Sequence, residues 1–239
     1  MSDVTTAEDS FDVVFDHDDF VIINKSAGIS VHKDDQALGL VDIVARALGY
    51  QKLYLVHRLD KMTSGLLILA KNSRSNRLLS GMFERRSVSK YYLALSDQKP
   101  KKKQGLIKGD METSRGGNWR LVKTYTNPAI TQFFSFSLTD EVSKGLRLFV
   151  LKPHTGKTHQ LRVALKSIGS GVLGDERYSS SQTDEDRGYL HAWALNFVYQ
   201  GNEIAVSALP KQGRWFLHPG LINKLKEIGD PALFCWPKI

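Results

Sequence analysis

Residues 55–71 read Leu55-Val56-His57-Arg58-Leu59-Asp60-Lys61-Met62-Thr63-Ser64-Gly65-Leu66-Leu67-Ile68-Leu69-Ala70-Lys71. Apolar runs flanking a polar, glycine-containing turn predict two strands, over 54–60 and 65–71, joined at 61–64. Side chains alternate along a strand, so Arg58 and Asp60 project from one face. A carboxylate beside a guanidinium stays ionised at neutral pH, and an ionised carboxylate at a strand end can serve as nucleophile or base. Thr63, Ser64 and Gly65 let the backbone turn sharply and approach a ligand closely. The same spacing also describes an ordinary strand-end ion pair at a surface.

Outward from this segment, strands are expected at 12–25 around the turn His17-Asp18-Asp19. Leu40, Val41, Val44 and Leu48 have helical spacing, with Gly49 as the stop. A helix over 74–86 carries Leu78, Leu79, Met82 and Phe83, and a strand follows at 90–96. Residues 98–118 are rich in Lys and Gly and read as a mobile basic excursion holding at most one hairpin. Further strands are expected at 131–138, 146–152, 194–199 and 203–207. Helices are expected from an N-cap at Thr158 to Ile168 and around 221–228, with a polar loop at 179–186. Strands outnumber helices and helices rarely separate consecutive strands. This favours an α+β fold with a mixed or antiparallel sheet over a doubly wound one.

The 239 residues carry 33 Lys and Arg against 25 Asp and Glu, a net charge of +8. Seven of those acids and no base lie in residues 1–19, so the other 220 residues carry a net +15. Such an excess fits a polyanionic partner, nucleic acid above all, although charge also serves solubility alone. Residues 1–10 read as a loose acidic tail. With Cys235 as the single cysteine, a disulfide framework and a Cys-based zinc site within one chain are excluded. Apolar runs are too short for a membrane helix, and the N-terminus lacks a secretory pattern. A cytoplasmic protein without structural metal or membrane association is expected.

A second cluster lies at Leu151-Lys152-Pro153-His154-Thr155-Gly156-Lys157-Thr158-His159-Gln160-Leu161-Arg162. A strand ends at proline, a glycine loop follows and a helix starts. The free N–H groups of a helix start suit a phosphate, and Lys152, Lys157 and His159 add donors. A capped helix with a solvated basic first turn reads equally well, although bases there oppose the helix dipole.

Both clusters, in this order, resemble the RluA-like family of RNA pseudouridine synthases. His57-Arg58-Leu59-Asp60 with Thr63-Ser64-Gly65-Leu66 is similar to that family's catalytic motif. Lys152-Pro153 with Thr155-Gly156-Lys157-Thr158-His159-Gln160-Leu161-Arg162-Val163 is similar to its downstream motif, continued by Leu173-Gly174-Asp175 and Tyr178. Lys90-x-Tyr92 and Leu190-His191-Ala192 match the intervening and closing segments. The resemblance spans 11–207. It implies a catalytic domain over 11–239, built on a long bent sheet with a central active-site cleft, and no N-terminal S4-type domain.

By the same resemblance, Asp60 is the catalytic aspartate, Tyr92 stacks on the target base and Arg162 pairs with Asp60. Leu161 packs in the pocket, and Arg58 fills the gap left by the extruded nucleotide. Thr63, Lys157 and His159 join the substrate-binding set. No metal and no organic cofactor is implied, the partner is structured ribosomal or transfer RNA, and a monomer is expected. Met62, Ala164 and Ser170-Gly171-Val172 depart from the family's usual residues without removing a catalytic group.

Uridine isomerisation breaks a C–N glycosidic bond, turns the uracil and forms a C–C bond. Asp60 either attacks C1′ or abstracts the 2′ proton to give a glycal; both need it ionised. The nucleotide must leave its stack, at a few kcal/mol, against which base–aromatic stacking returns ~1–3 kcal/mol. Lys99, Lys101 to Lys103, Arg85 and Arg86 are candidate phosphate contacts. The rivals are a non-catalytic RNA-binding protein and a nucleoside hydrolase releasing uracil.

Overall fold

Phe20-Val21-Ile22-Ile23 and Leu66-Leu67-Ile68-Leu69 are apolar without alternation, as strands buried on both faces are, and all eight side chains are fully enclosed. The computed structural model describes residues 10–31, 39–138, 145–179 and 184–239. Most of the expected acidic tail, and part of the 179–186 loop, lie outside the described residues. The chain divides into two compact units: Met1–Ser89 with Ala192–Pro210, and Lys90–His191 with Lys211–Ile239.

The first unit holds β1 (Phe11–His17), β2 (Phe20–Lys25), α1 (Leu40–Ala47), β3 (Tyr54–Leu55), β4 (Ser64–Ala70) and α2 (Ser73–Glu84). Most of β10 (Leu190–Tyr199) and all of β11 (Asn202–Ser207) complete it. β2 pairs antiparallel with β1 and β4, β3 with β4, and β10 with β11. The β2–β4 register sets Lys25 opposite Gly65 and so brings the end of β2 to the turn before β4. Leu79 and Met82 of α2 pack into a core with Phe20, Ile22, Leu66, Ile68, Leu195 and Phe197.

The second unit holds all but the first residue of β5 (Ser89–Ser96), then β6 (Gln104–Ser114), β7 (Asn118–Val122), β8 (Ala129–Ser137), β9 (Arg147–Pro153), α3 (Gln160–Ser167) and α4 (Pro219–Ile228). Its sheet runs β5-β9-β8-β6-β7, antiparallel at each step. Among the described residues no helix is long and apolar enough to cross a membrane.

Three expectations need correction. The strand expected over 54–60 stops at Leu55. Where the next ladder bond would fall, Ile68 N–H donates to Nε2 of His57 at 3.1 Å, so a side chain replaces the backbone partner. Residues 98–118 hold the one hairpin allowed for, β6 with β7, but are not a mobile excursion: β6 takes up most of them, with residues 104–109 paired to β8 and 110–114 to β7. α3 begins at Gln160, not after an N-cap at Thr158, because its N-cap is His159 in the left-handed region at φ 56°.

Candidate active site

In the first unit the chain leaves β3, runs irregularly through 56–60 and turns at 61–62 before β4. Arg58 is exposed, Leu59 buried and Asp60 half-buried. Thr63 N–H donates to Asp60 O at 3.0 Å and closes the turn, with Thr63 itself buried. Arg58, Asp60 and Thr63 thus share one short segment, as their spacing predicts.

Two anchors fix this segment. The Lys25 ammonium, fully buried, donates to the carbonyls of Ser26 and Ile29 at 2.8 Å each and to that of Lys61 at 3.3 Å. Gly28 N–H reaches the same Lys61 carbonyl at 2.9 Å. A buried cation needs such acceptors, and one of these lies directly after Asp60. His57 forms the second anchor: besides its bond to Ile68, its ring stacks on Phe83 with centroids 4.3 Å apart. An imidazole nitrogen accepting from an amide is unprotonated, so this bond requires a neutral ring. Gly65 follows at φ 110°, and a Cβ on it would lie 2.2 Å from the carbonyl oxygen of Ala192. Only glycine fits there.

In the second unit Tyr92 sits on β5 opposite Leu151 of β9, half-buried, while its neighbour Tyr91 is buried. Alternation sends Tyr91 to the opposite face, where Lys152 Nζ lies 5.5 Å and the Trp236 ring 6.0 Å from its ring centre. Leu161 and Arg162 are buried on α3, whereas Lys157 and His159 are half-buried just before it.

Arg162 is held in a fork. Its Nε donates to Asp175 Oδ2 at 2.7 Å and its Nη2 to Oδ1 at 2.8 Å, with the Asp175 side chain fully enclosed. Oδ1 also accepts from the N–H groups of Arg177 and Tyr178 at 3.0 and 3.1 Å. Bidentate guanidinium–carboxylate pairing fixes the plane of the guanidinium. The Tyr178 ring lies 5.0 Å from the Arg162 guanidinium carbon. Its hydroxyl accepts from Trp119 N–H at 3.0 Å and lies 2.9 Å from Nδ1 of His159. β7 is thereby tied to the start of α3.

Gln160 organises the loop before α3. Its Oε1 accepts from the Thr155 hydroxyl at 2.6 Å and from Lys157 N–H at 3.1 Å. Its Nε2 donates to Ile130 O and Thr131 Oγ1 of β8 at 3.1 and 3.0 Å. Lys25, Gln160, Asp175 and Tyr178 are positioning groups to which sequence reasoning assigned no role. The available signals were a lysine closing an apolar strand and a downstream motif containing an aspartate and a tyrosine. Among the described residues no group of three or more His, Cys, Asp or Glu side chains is placed to hold a metal ion.

The profile described as RNA pseudouridylate synthase matches residues 19–167. The chain belongs to the RNA pseudouridine synthase family. A relative from Haemophilus influenzae bearing the name uncharacterized RNA pseudouridine synthase is 54% identical over 215 residues, covering 90% of this chain and 94% of that one. The ribosomal large subunit pseudouridine synthase C of Rickettsia felis is 31% identical over 202 residues, 82% of this synthase and 66% of the relative. Among solved structures, human RNA pseudouridylate synthase domain containing 4 matches with a TM-score of 0.69 at 26% identity, over 88% of this chain and 92% of that one. Human RNA pseudouridylate synthase domain containing 1 shares the fold, with a TM-score of 0.70 at 23% identity over 83% of each chain. The synthase is therefore an isomerase acting on uridine in RNA, of the RluA-like kind, with the α+β fold of its family.

Proposed function

We propose that the synthase converts one specific uridine of a structured ribosomal or transfer RNA to pseudouridine, with Asp60 as the reacting carboxylate. The observation that carries this reading is the Asp60 turn: a half-buried carboxylate on backbone clamped by Lys25 and Gly28, in a chain of this family. The name of the Rickettsia relative favours ribosomal RNA as the target.

In this reading the target nucleotide swings out of its stack and Tyr92 stacks on the uracil. Asp60 attacks C1′, or removes the 2′ proton, as the C1′–N1 bond breaks and uracil departs as an anion. The base turns and C5 bonds to C1′ as the Asp60–C1′ bond breaks, or, on the glycal route, as Asp60 returns the proton to C2′; the C5 proton is then lost and N1 gains one. Atoms balance without a co-reactant, and this reading calls for no organic cofactor and no metal. Arg162, its plane set by Asp175, supplies positive potential for the anionic groups, and Leu161 packs in the pocket. Arg58 fills the vacated stack, while Thr63, Lys157 and His159 hold the substrate. We place the whole catalytic domain at 11–239, acting as a cytoplasmic monomer.

The decisive experiment maps pseudouridine in RNA treated with wild type and with Asp60→Asn. The variant is expected to lose turnover by at least ~10³-fold while keeping RNA affinity within several-fold. Substantial residual turnover would remove Asp60 from its role. Free uracil in the wild-type digest would make the protein a hydrolase, and absence of both products would make it an RNA-binding protein only.

A further inference from the structure

The outer face of α2 is arginine-rich in a way that packing does not require. At 3.6 residues per turn, Arg74, Arg77, Leu78, Gly81 and Arg85 fall within an arc of about 100° and span about 16 Å along the axis. Arg74, Arg77, Arg85 and the following Arg86 are exposed, as is Leu78. Among the described residues none of these four arginines forms an ion pair, and Glu84 is the one acid on the helix. Asp19, at the N-terminal end of α2, is bonded by Asn72, Tyr199 and Gln200 and feels the charge of Arg74 without forming an ion pair with it.

Two backbone features set this face apart from a merely solvated one. Gly81 stands mid-helix, where glycine is the poorest choice after proline. A Cβ there would come within 3.0 Å of Nη1 of Arg85, so the absent side chain lets that guanidinium lie back along the helix. At the C-terminal end, Ser87 N–H bonds to Met82 O at 2.9 Å and Arg86 N–H to Phe83 O at 3.1 Å. This is a Schellman closure, whose left-handed position ordinarily belongs to glycine. Arg86 occupies it at φ 60°. The helix dipole accounts for bases at the C-terminal end, but not for Arg74 and Arg77 in the first turns.

We propose that this face is an RNA-docking surface, on which Arg74, Arg77, Arg85 and Arg86 hold successive phosphates of an RNA helix flanking the modified uridine. The stripe matches the axial length of about five nucleotides of a duplex, and guanidinium groups bind phosphate in a bidentate manner. The proposal rests on the RNA-modifying reading and extends it to a surface outside the reacting groups.

The test is binding of a labelled RNA duplex of about 20 base pairs, of arbitrary sequence, followed by fluorescence anisotropy over a range of salt. For Arg74→Ala/Arg77→Ala/Arg85→Ala, the slope of log affinity against log salt is expected to flatten by about two to three units. Affinity near physiological salt should fall by at least ~10-fold. Removing the same charge from the exposed Lys52, Lys226 and Lys238 should change the slope distinctly less. Arg86→Gly is expected to raise Tm by about 2 °C while weakening binding. An unchanged slope in the triple variant, an equal fall in the lysine control, or full affinity in the more stable Arg86→Gly protein would each overturn the assignment. Since duplex binding needs no turnover, failure here is separable from failure of the Asp60 reading, which appears as absent pseudouridine.

Discussion

A buried lysine ammonium that donates to backbone carbonyls is sensitive to the position of each acceptor. Lys25 donates to three such carbonyls, and one of them, that of Lys61, lies one residue beyond Asp60. Lys25→Met keeps much of the bulk and removes the donors. It should destabilise the fold by about 2–4 kcal/mol in urea unfolding. In the fraction that folds, kcat should fall by at least ~10-fold with RNA affinity little changed, because a small displacement of Asp60, the proposed reacting group, is costly. Equal kcat in folded Lys25→Met would show that the turn keeps its geometry without the cation. Arg162 illustrates a related point. Its motif position was readable, but its fork with Asp175 was not, because the partner lies 13 residues downstream, past the end of a helix.

At the scale of elements, the approach of Gly65 to Ala192 leaves no room for a methyl group. Gly65→Ala should therefore cost at least ~2 kcal/mol, read as a lower urea midpoint at constant slope. Helices and most strands were legible because their apolar spacing is a local property; α1 ends in a left-handed glycine, Gly49, as the sequence suggests. The strand through 54–60 was misread because its alternation is intact, while the ladder is interrupted by the imidazole of His57, a tertiary event that no period reveals. β6 was missed for the opposite reason. Its lysine Lys108 and its glycines Gly105 and Gly109 suppress strand propensity, and pairing with β7 and β8 overrides it. Arg58, Asp60 and Thr63 were legible because one short segment carries all three, whereas the clamp on that segment comes from β2.

For the molecule as a whole, several aspartates tie the fold to pH. Hydrogen bonds from Asn72 and Tyr199 hold the Asp19 carboxyl below its ordinary range. Burial pushes Asp186 up, but the Tyr189 hydroxyl and Arg214 N–H more than offset it, and its net shift is also downward. Carboxyls with depressed folded pKa values bind fewer protons than the unfolded chain, so their contribution is complete above about pH 4 and is lost as pH falls through the lower folded values. The urea midpoint should accordingly drop below about pH 4, and Asp19→Asn should make that drop shallower. An identical acid limb in the variant would assign the lability elsewhere.

The contact between Gly65 and Ala192 also has a meaning in time. The first unit is assembled from two stretches of chain, and the second, Ala192–Pro210, is made long after the first. At roughly 5–20 residues per second, a ribosome takes on the order of ten seconds between residues 65 and 192. During that interval the segment bearing Asp60, the proposed reacting carboxylate, waits on the nascent chain without the strand that later closes over Gly65.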